Sequence, residues 1–419
     1  MAPYGDDMLF PLAVLLLVFL LIAARQFIRV PIRIWQIVLA GAVLVLLGGQ
    51  ITVQAALAAI NFDVIFLLVG MFVIAVALEE SGYLVRLSIG IFKSAGSTDA
   101  LVVYMLFGIG IVSMLVVNDA LAVVGTPIAL LLARRLRLPP SLMLLTLAFA
   151  ITIGSVASPI GNPQNFLIAA SSGVKSPFIA FPAALLIPTI LNLVLTYAVL
   201  RIFYGKSFRR TSLRAVKYSE PYDKGLATLT KLSLALLLAL ILLDIVSPIL
   251  FPSVPFRLSY IAAAALPVLA FSPRRAEIFK KVEWGTIVFF ISLFVLTGSV
   301  FGSGFFQSVL YGNGIDISSI PVILVLSTVI SQFISNVPLA IMYLHILQLS
   351  GAGQAAYLAL AAGSTIAGNL LVLGAASNVI IVQAAEKRGY SLTFTEFAKV
   401  GIVLTAINIL VYAAFLSFA

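Results

Sequence analysis

The sequence predicts an all-α polytopic membrane protein made of two inverted-topology repeats. Each repeat carries a re-entrant hairpin and a broken transmembrane helix, with about ten spans plus two hairpins in all. Three observations lead there. The 419-residue chain is 62% hydrophobic and only 10% charged, against about 25% charged in soluble domains. Its apolar runs are cut by polar, helix-breaking stretches. Those cuts recur in the second half at nearly constant spacing.

Taken in order, residues 1–60 hold two N-terminal spans, at about 9–24 and 34–49. Met1 to Met8 contains Asp6 and Asp7 and no basic residue, so Phe10 to Ala24 reads as a span and not as a signal peptide. The first repeat covers 61–203. It opens with a span at about 62–78 that ends at Glu79-Glu80. Tyr83 to Lys93 follows as an interfacial segment. An apolar stretch from about 100 to 133 is interrupted at Asn118-Asp119, and a broken helix at about 141–171 is followed by a span at about 179–200. The basic cytoplasmic loop, 204–224, comes next; from Arg201 to Lys224 there are seven Lys/Arg. Residues 225–281 hold two linking spans, at about 228–247 and 257–271, and a basic connection. The second repeat, 282–419, runs through a span at 284–300, an apolar pair interrupted at Ser335-Asn336, a broken helix at 355–385 and a last span at 399–418.

The break at Ser158-Pro-Ile-Gly-Asn-Pro-Gln-Asn165 organises the rest. Two prolines and a glycine cannot continue a helix. Broken backbone at membrane depth is tolerated only where protein or a watery cavity satisfies it. The repeat supports this reading. Thr152, Ile153, Gly161, Asn165 and Ile168 lie on Thr365, Ile366, Gly374, Asn378 and Ile381 at an offset of 213, and Asn118 lies on Asn336 at 218. Charge gives the orientation. With 25–33 cytoplasmic, and with the Asn118-Asp119 hairpin entering and leaving on that side, only Lys175 and Arg257 of the 25 Lys/Arg fall outside. Both termini then lie outside. Hairpins that fully span are the alternative.

The four interruptions are the place for chemistry. Half-helix N-termini offer N–H groups to an anion or polar oxygen, and Asn and Ser side chains both donate and accept. Asp119 is the sharpest single residue, because an ionisable group at membrane depth is costly. Its reading is proton coupling or cation binding; the alternative is a helix N-cap. Asp244 reads as structural pairing between helices, lone His345 as a packed residue, and Asp63 and Glu283 as caps or dipole partners of corresponding spans. Thr126 is placed to rebond the carbonyl that Pro127 frees. No Walker A pattern, zinc spacing or nucleophile elbow is present, and there is no cysteine. With no nucleophile–base pair in view, an enzyme is not expected. A channel would need polarity along its whole length. No nucleic-acid partner is expected either, because the +10 charge sits in short connections.

Asn118-Asp119 with Thr126-Pro127-Ile128, then Gly161-Asn162-Pro163-Gln164-Asn165, Ser335-Asn336-Val337-Pro338 and Ala376-Ser377-Asn378 resemble the ion transporter superfamily. The likeness is nearest to its arsenite-permease branch and the anion permeases of the YbiR type, and more distant to the sodium–dicarboxylate symporters. It covers roughly 60–418. The resemblance implies a site formed by Asn118, Gly161, Asn162, Gln164, Asn165, Ser335, Asn336, Gly374, Ser377 and Asn378, with Asp119 as proton or cation coupler. Those symporters carry Ser-Asn-Thr at both tips. Here the tips read Val117-Asn118-Asp119 and Ser335-Asn336-Val337. The expected activity is therefore proton-coupled efflux of a small inorganic weak acid or oxyanion, such as arsenous or silicic acid. The alternative is sodium-coupled import of a dicarboxylate or other organic anion, or sodium/proton antiport. No cofactor is expected; the coupling ion is H+ or Na+. The partners are a small anion or weak acid and the lipid bilayer of the cell membrane. A homodimer and a separate energising ATPase subunit complete the set of partners to be expected.

Overall fold

Proline, glycine and polar side chains decide where the helices of this apolar chain stop. A computed structural model describes residues 6–27, 33–83, 85–86, 95–209, 222–250, 257–303 and 317–418. Among the described residues there is no strand. The interfacial segment Tyr83 to Lys93 and residues 210–221 of the basic loop fall mostly outside them.

The first half runs α1 (Asp6–Phe27), α2 (Ile34–Leu47), α3 (Val53–Ala59), α4 (Phe62–Glu80), α5 (Thr98–Ser113), α6 (Asn118–Leu136), α7 (Pro140–Ser155), α8 (Pro163–Ser171) and α9 (Pro177–Phe203). A linker follows with α10 (Lys224–Leu250), a 3-10 segment (Leu258–Ala265), α11 (Leu266–Phe271) and α12 (Arg275–Lys281). The second half is α13 (Trp284–Gly302), α14 (Ile320–Ile334), α15 (Asn336–Leu349), α16 (Gln354–Leu370), α17 (Ala376–Glu386) and α18 (Phe394–Leu416). Five stretches, within α4, α9, α10, α13 and α18, are long and apolar enough to cross a bilayer. The chain is a multi-pass membrane protein.

Packing in the two halves corresponds element for element. In the first half α7 packs on α5 and α6, and in the second α16 packs on α14 and α15. The halves also interlock. The second hairpin arm of each packs on the short half-helix of the other, α6 on α17 and α15 on α8. The two helices that precede the breaks, α7 and α16, touch each other, as do α9 and α18. Small residues permit the closest approaches. A Cβ on Gly154 would sit 2.4 Å from backbone atoms of Gly110, and one on Gly363 would sit 2.1 Å from Ser327 Oγ. In membranes, where apolar burial gives helices no net drive to associate, such small-residue contacts carry the packing.

The uncharged connection after α2 holds α3. Some expectations need correction. The last linking span is not a plain α-helix: eight residues of 3-10 precede six of α. At about 2.0 Å rise per residue, 3-10 winding lets so short a segment reach further across the bilayer. It packs on α4, where Gly70 has no side chain and a Cβ would stand 2.8 Å from Ala262 Cα. The cap of α4 is Asn61, whose side chain accepts from Val64 N; Asp63 lies in the first turn. Thr126 does not bond the carbonyl that Pro127 frees, at position 123. It donates to Ala122 O at 2.6 Å.

Candidate functional site

Each break is built by its own residues. α7 ends at Ser155, and α8 restarts at Pro163, which suits a first helical position because it has no N–H to satisfy. Asn162 caps α8; its Oδ1 accepts from Asn165 N at 2.9 Å. Gly161 lets the loop tuck in, since a Cβ there would lie 2.8 Å from Ser155 O and 2.9 Å from Ser113 O. Gly374 does the same in the other half, with Ala367 O at 2.4 Å from its would-be Cβ. The hairpin tips differ. Residues 114–117 turn the first, whereas Ser335 alone turns the second, at φ +74° and ψ +159°. Non-glycine residues avoid that region, and holding one there costs about 1–3 kcal/mol.

A directed hydrogen-bond network joins the breaks. Asn165 Nδ2 donates to the carbonyls of Ser155, Val156 and Ser158 at 3.1–3.2 Å. Its Oδ1 therefore accepts, and Thr365 Oγ1 donates to it at 3.0 Å. Asn162 Nδ2 donates to Ser155 Oγ and Thr365 Oγ1, at 3.1 and 3.2 Å. Gln164 Nε2 reaches Thr365 Oγ1 at 3.5 Å. Ser155 Oγ gives its proton to Thr152 O, so it accepts from Asn118 Nδ2 at 3.2 Å. That fixes the Asn118 amide and leaves its buried Oδ1 with no partner among the described residues. Asn336 Oδ1 is in the same position. Asn378 Nδ2 donates to Gly368 O at 2.5 Å, fastening α17 to the end of α16.

These elements enclose a cavity of about 330 Å³. Asn118, Asp119, Asn162, Gln164, Ser335, Asn336 and Ser377 line it together. Gly161, Asn165, Gly374 and Asn378 do not. They stand behind the wall, as close-approach glycines and as staples of the two half-helices. Asp119 is not a cap, because the cap position of α6 is Val117 and Asp119 lies in the first turn. Sequence reading missed the opposite wall, which comes from α13 through Thr286, Phe289 and Phe290. It also missed Arg33 and Glu283, the other charged residues of the lining, both exposed. Glu283 occupies the cap position of α13 but makes no capping bond. The only hint in the sequence was its match to Asp63 at the head of the corresponding span. Thr365 and Ser155 looked like ordinary helix hydroxyls.

Six helices begin at this cavity: α6, α8, α15 and α17 start at the breaks and tips, and α2 and α13 start beside the exposed Arg33 and Glu283. Each N-terminus carries roughly half a positive charge, so the four at the breaks and tips present about two, against the Asp119 carboxylate, while Arg33 and Glu283 offset each other in charge. The described residues contain no cluster of His, Asp or Glu able to hold a metal ion. Asp244, the other acid within an apolar helix, lies outside the lining, and its buried Oδ2 has no hydrogen-bond partner among the described residues. His345 is half-buried, with Nδ1 2.7 Å from Ile341 O, and it also lies outside.

A helical membrane protein whose interrupted helices line a polar cavity has the architecture of a secondary transporter, and solved structures share the fold. The crystal structure of the YdaH transporter of Alcanivorax borkumensis aligns with TM-score 0.58 and 16% identity, covering 99% of this chain and 98% of that one. The MtrF structure of Neisseria gonorrhoeae, described as illuminating a class of antimetabolite efflux pumps, aligns with TM-score 0.56 and 12% identity, over 99% and 95%. Residues 16–363 match the citrate transporter family model, and the chain belongs to that family. An uncharacterized transporter of Mycobacterium tuberculosis is 30% identical over 376 residues, 85% of this chain and 86% of its own length. The human P protein is 24% identical over 88% of this chain, which spans about half (54%) of that longer protein.

Proposed function

We propose that this transporter moves a small oxygen-rich acid, bound as an anion where the four helix N-termini meet, and that Asp119 holds the coupling proton or sodium ion. The convergence of those N-termini carries the reading. With Asp119 ionised, about one positive charge is left for the anion; with Asp119 neutralised by a proton or cation, about two are left. Uptake of the coupling ion would therefore increase the anionic charge the site accepts. The corresponding packing of the two halves supports two inverted repeats around that site. The family's description points to citrate as the first acid to test.

A second reading is favoured by one observation. Within the lining only Arg33 is basic, and the free buried oxygens of Asn118 and Asn336 are acceptors. An acceptor-rich site suits a neutral weak acid whose O–H groups donate, such as arsenous or silicic acid, exported in exchange for protons.

Thermal stabilisation of the purified protein separates the two, because a ligand that binds only the folded state raises apparent stability. The panel is citrate, succinate, sulfate, arsenite and silicate, each with and without sodium and at two pH values. A shift with citrate that needs sodium or low pH supports the anion reading. A shift with arsenite or silicate that is indifferent to sodium supports the weak acid. No shift with any member overturns both.

A further inference from the structure

A second cavity, of about 620 Å³, lies at the other ends of the helices that wall the first. α8, α13 and α15 line both. On α13 the inner cavity ends at Phe290 and the outer begins at Phe294. On α15 the change falls between Val337 and Ile341, and on α8 between Gln164 and Leu167. Three or four residues are about one helical turn, roughly 5 Å. One turn on each of three helices is all that separates the cavities along these walls. The layer between them is apolar and closed. Leu167, Phe290 and Ile341 are 0–2% exposed, and the Phe290 and Phe294 rings lie 6.4 Å apart.

The outer cavity has neutral polar walls, including Asn61, Ser171 and Gln348, in a region otherwise apolar. Asn61 Nδ2 donates to Ser171 Oγ at 3.0 Å, and Gln348 Nε2 donates to Ser171 O at 2.6 Å. Those bonds tie the outer ends of α8 and α15 to the start of α4. Such a lining can hydrate a polar solute without holding it, whereas lipid-facing helix surface would be apolar throughout.

We propose that this cavity is the vestibule through which the transported acid reaches the site from the opposite side of the membrane, with Phe290, Phe294, Leu167 and Ile341 as its closed gate. The assignment rests on the transport reading above and adds its second doorway. In this form the polar path is complete except for that single layer. Opening it requires the outer ends of α8 and α15 to part together from α4 and α13, which breaks the Asn61–Ser171 bond and leaves Gln348–Ser171 intact.

The chain has no cysteine, so single cysteines report access directly. His345→Cys and Gln348→Cys lie in the outer cavity, and Thr286→Cys lies in the inner one. Each variant is treated with a membrane-impermeant maleimide in right-side-out and in inverted vesicles. The first two should label from one face and Thr286→Cys from the other. Labelling of all three from one face, or no labelling of the outer pair in either orientation while detergent exposes them, overturns the vestibule. The gate is read separately. Phe294→Ala should lose coupling and let solute equilibrate, and Phe294→Leu should retain coupling. Coupling kept in Phe294→Ala overturns the gate. If wild-type protein moves no acid of the panel, the proposed function fails while the labelling pattern still decides the vestibule.

Discussion

Thr365 donates its hydroxyl proton to Asn165 Oδ1 at 3.0 Å, across 200 positions of sequence. The residues at the corresponding positions, Thr152 and Asn378, make no such bond. Thr152 Oγ1 and Asn378 Oδ1 are both buried without a hydrogen-bond partner among the described residues. The pair formed once and left unformed once ties α8 to α16 but leaves α17 free of α7 at that point.

The asymmetry predicts unequal mutational costs. Thr365→Val strips Asn165 Oδ1 of its donor and should cost about 1–3 kcal/mol, the usual price of an unsatisfied buried group. Thr152→Val removes a hydroxyl that has no partner and should be neutral or stabilising. Thermal unfolding in detergent measures both. Equal losses in the two variants would mean that the Thr365 bond is not made in solution.

Asp119→Asn keeps the shape of the side chain and removes its charge. The four helix N-termini remain, so the acid should still bind. Its transport should no longer depend on the proton or sodium gradient. Solute counterflow should persist in vesicles, and gradient-driven accumulation should be lost. Accumulation at the wild-type level in this variant would remove Asp119 from the coupling role.

At the second tip, Ser335 is held where glycine rests without strain. Ser335→Gly should therefore raise stability by about 1–3 kcal/mol. Ser335→Ala keeps the strain and should not. If the hydroxyl contacts substrate, both variants weaken ligand-induced stabilisation equally. An unchanged unfolding temperature in Ser335→Gly would mean that Ser335 bears no strain at this tip.

The sequence announced this site through its breaks, and it misled where roles depend on which way a break turns. Proline, glycine and amides in an apolar chain have few structural excuses, so Asn118, Asn162 and Asn336 could be assigned to one cavity before any fold was known. The same logic could not tell lining from support. Asn165 carries the same group as Asn162 but spends its donors on the carbonyls of Ser155, Val156 and Ser158, while Asn162 lies on the cavity side. The α13 wall was illegible for another reason. Phe289 and Phe290 sit in an unbroken apolar helix, and nothing local separates a cavity wall from a lipid face. Only the tertiary contacts of α13, chiefly with α2 and then with α3, α1, α4 and α15, do that.

The linker end of the molecule offers a test of the fold that is independent of transport. Arg274 donates to Glu80 at 2.5 Å and to Glu277 at 2.9 Å, and Lys281 donates to the same two carboxylates at 2.7 and 2.9 Å. This ties α12 to the end of α4. Hydrogen bonds first from Arg274 and then from Lys281 hold the Glu277 carboxyl at about 2, below its ordinary 4.5. A carboxylate depressed on folding stabilises the folded state above its ordinary value and loses that effect as pH falls through the folded one. The difference in unfolding temperature between wild type and Glu277→Gln should therefore be full at neutral pH and shrink between about 4.5 and about 2. The pairs are exposed, so added salt should shrink it as well. A difference that ignores both pH and salt would place the effect of Glu277 in packing, not in its charge.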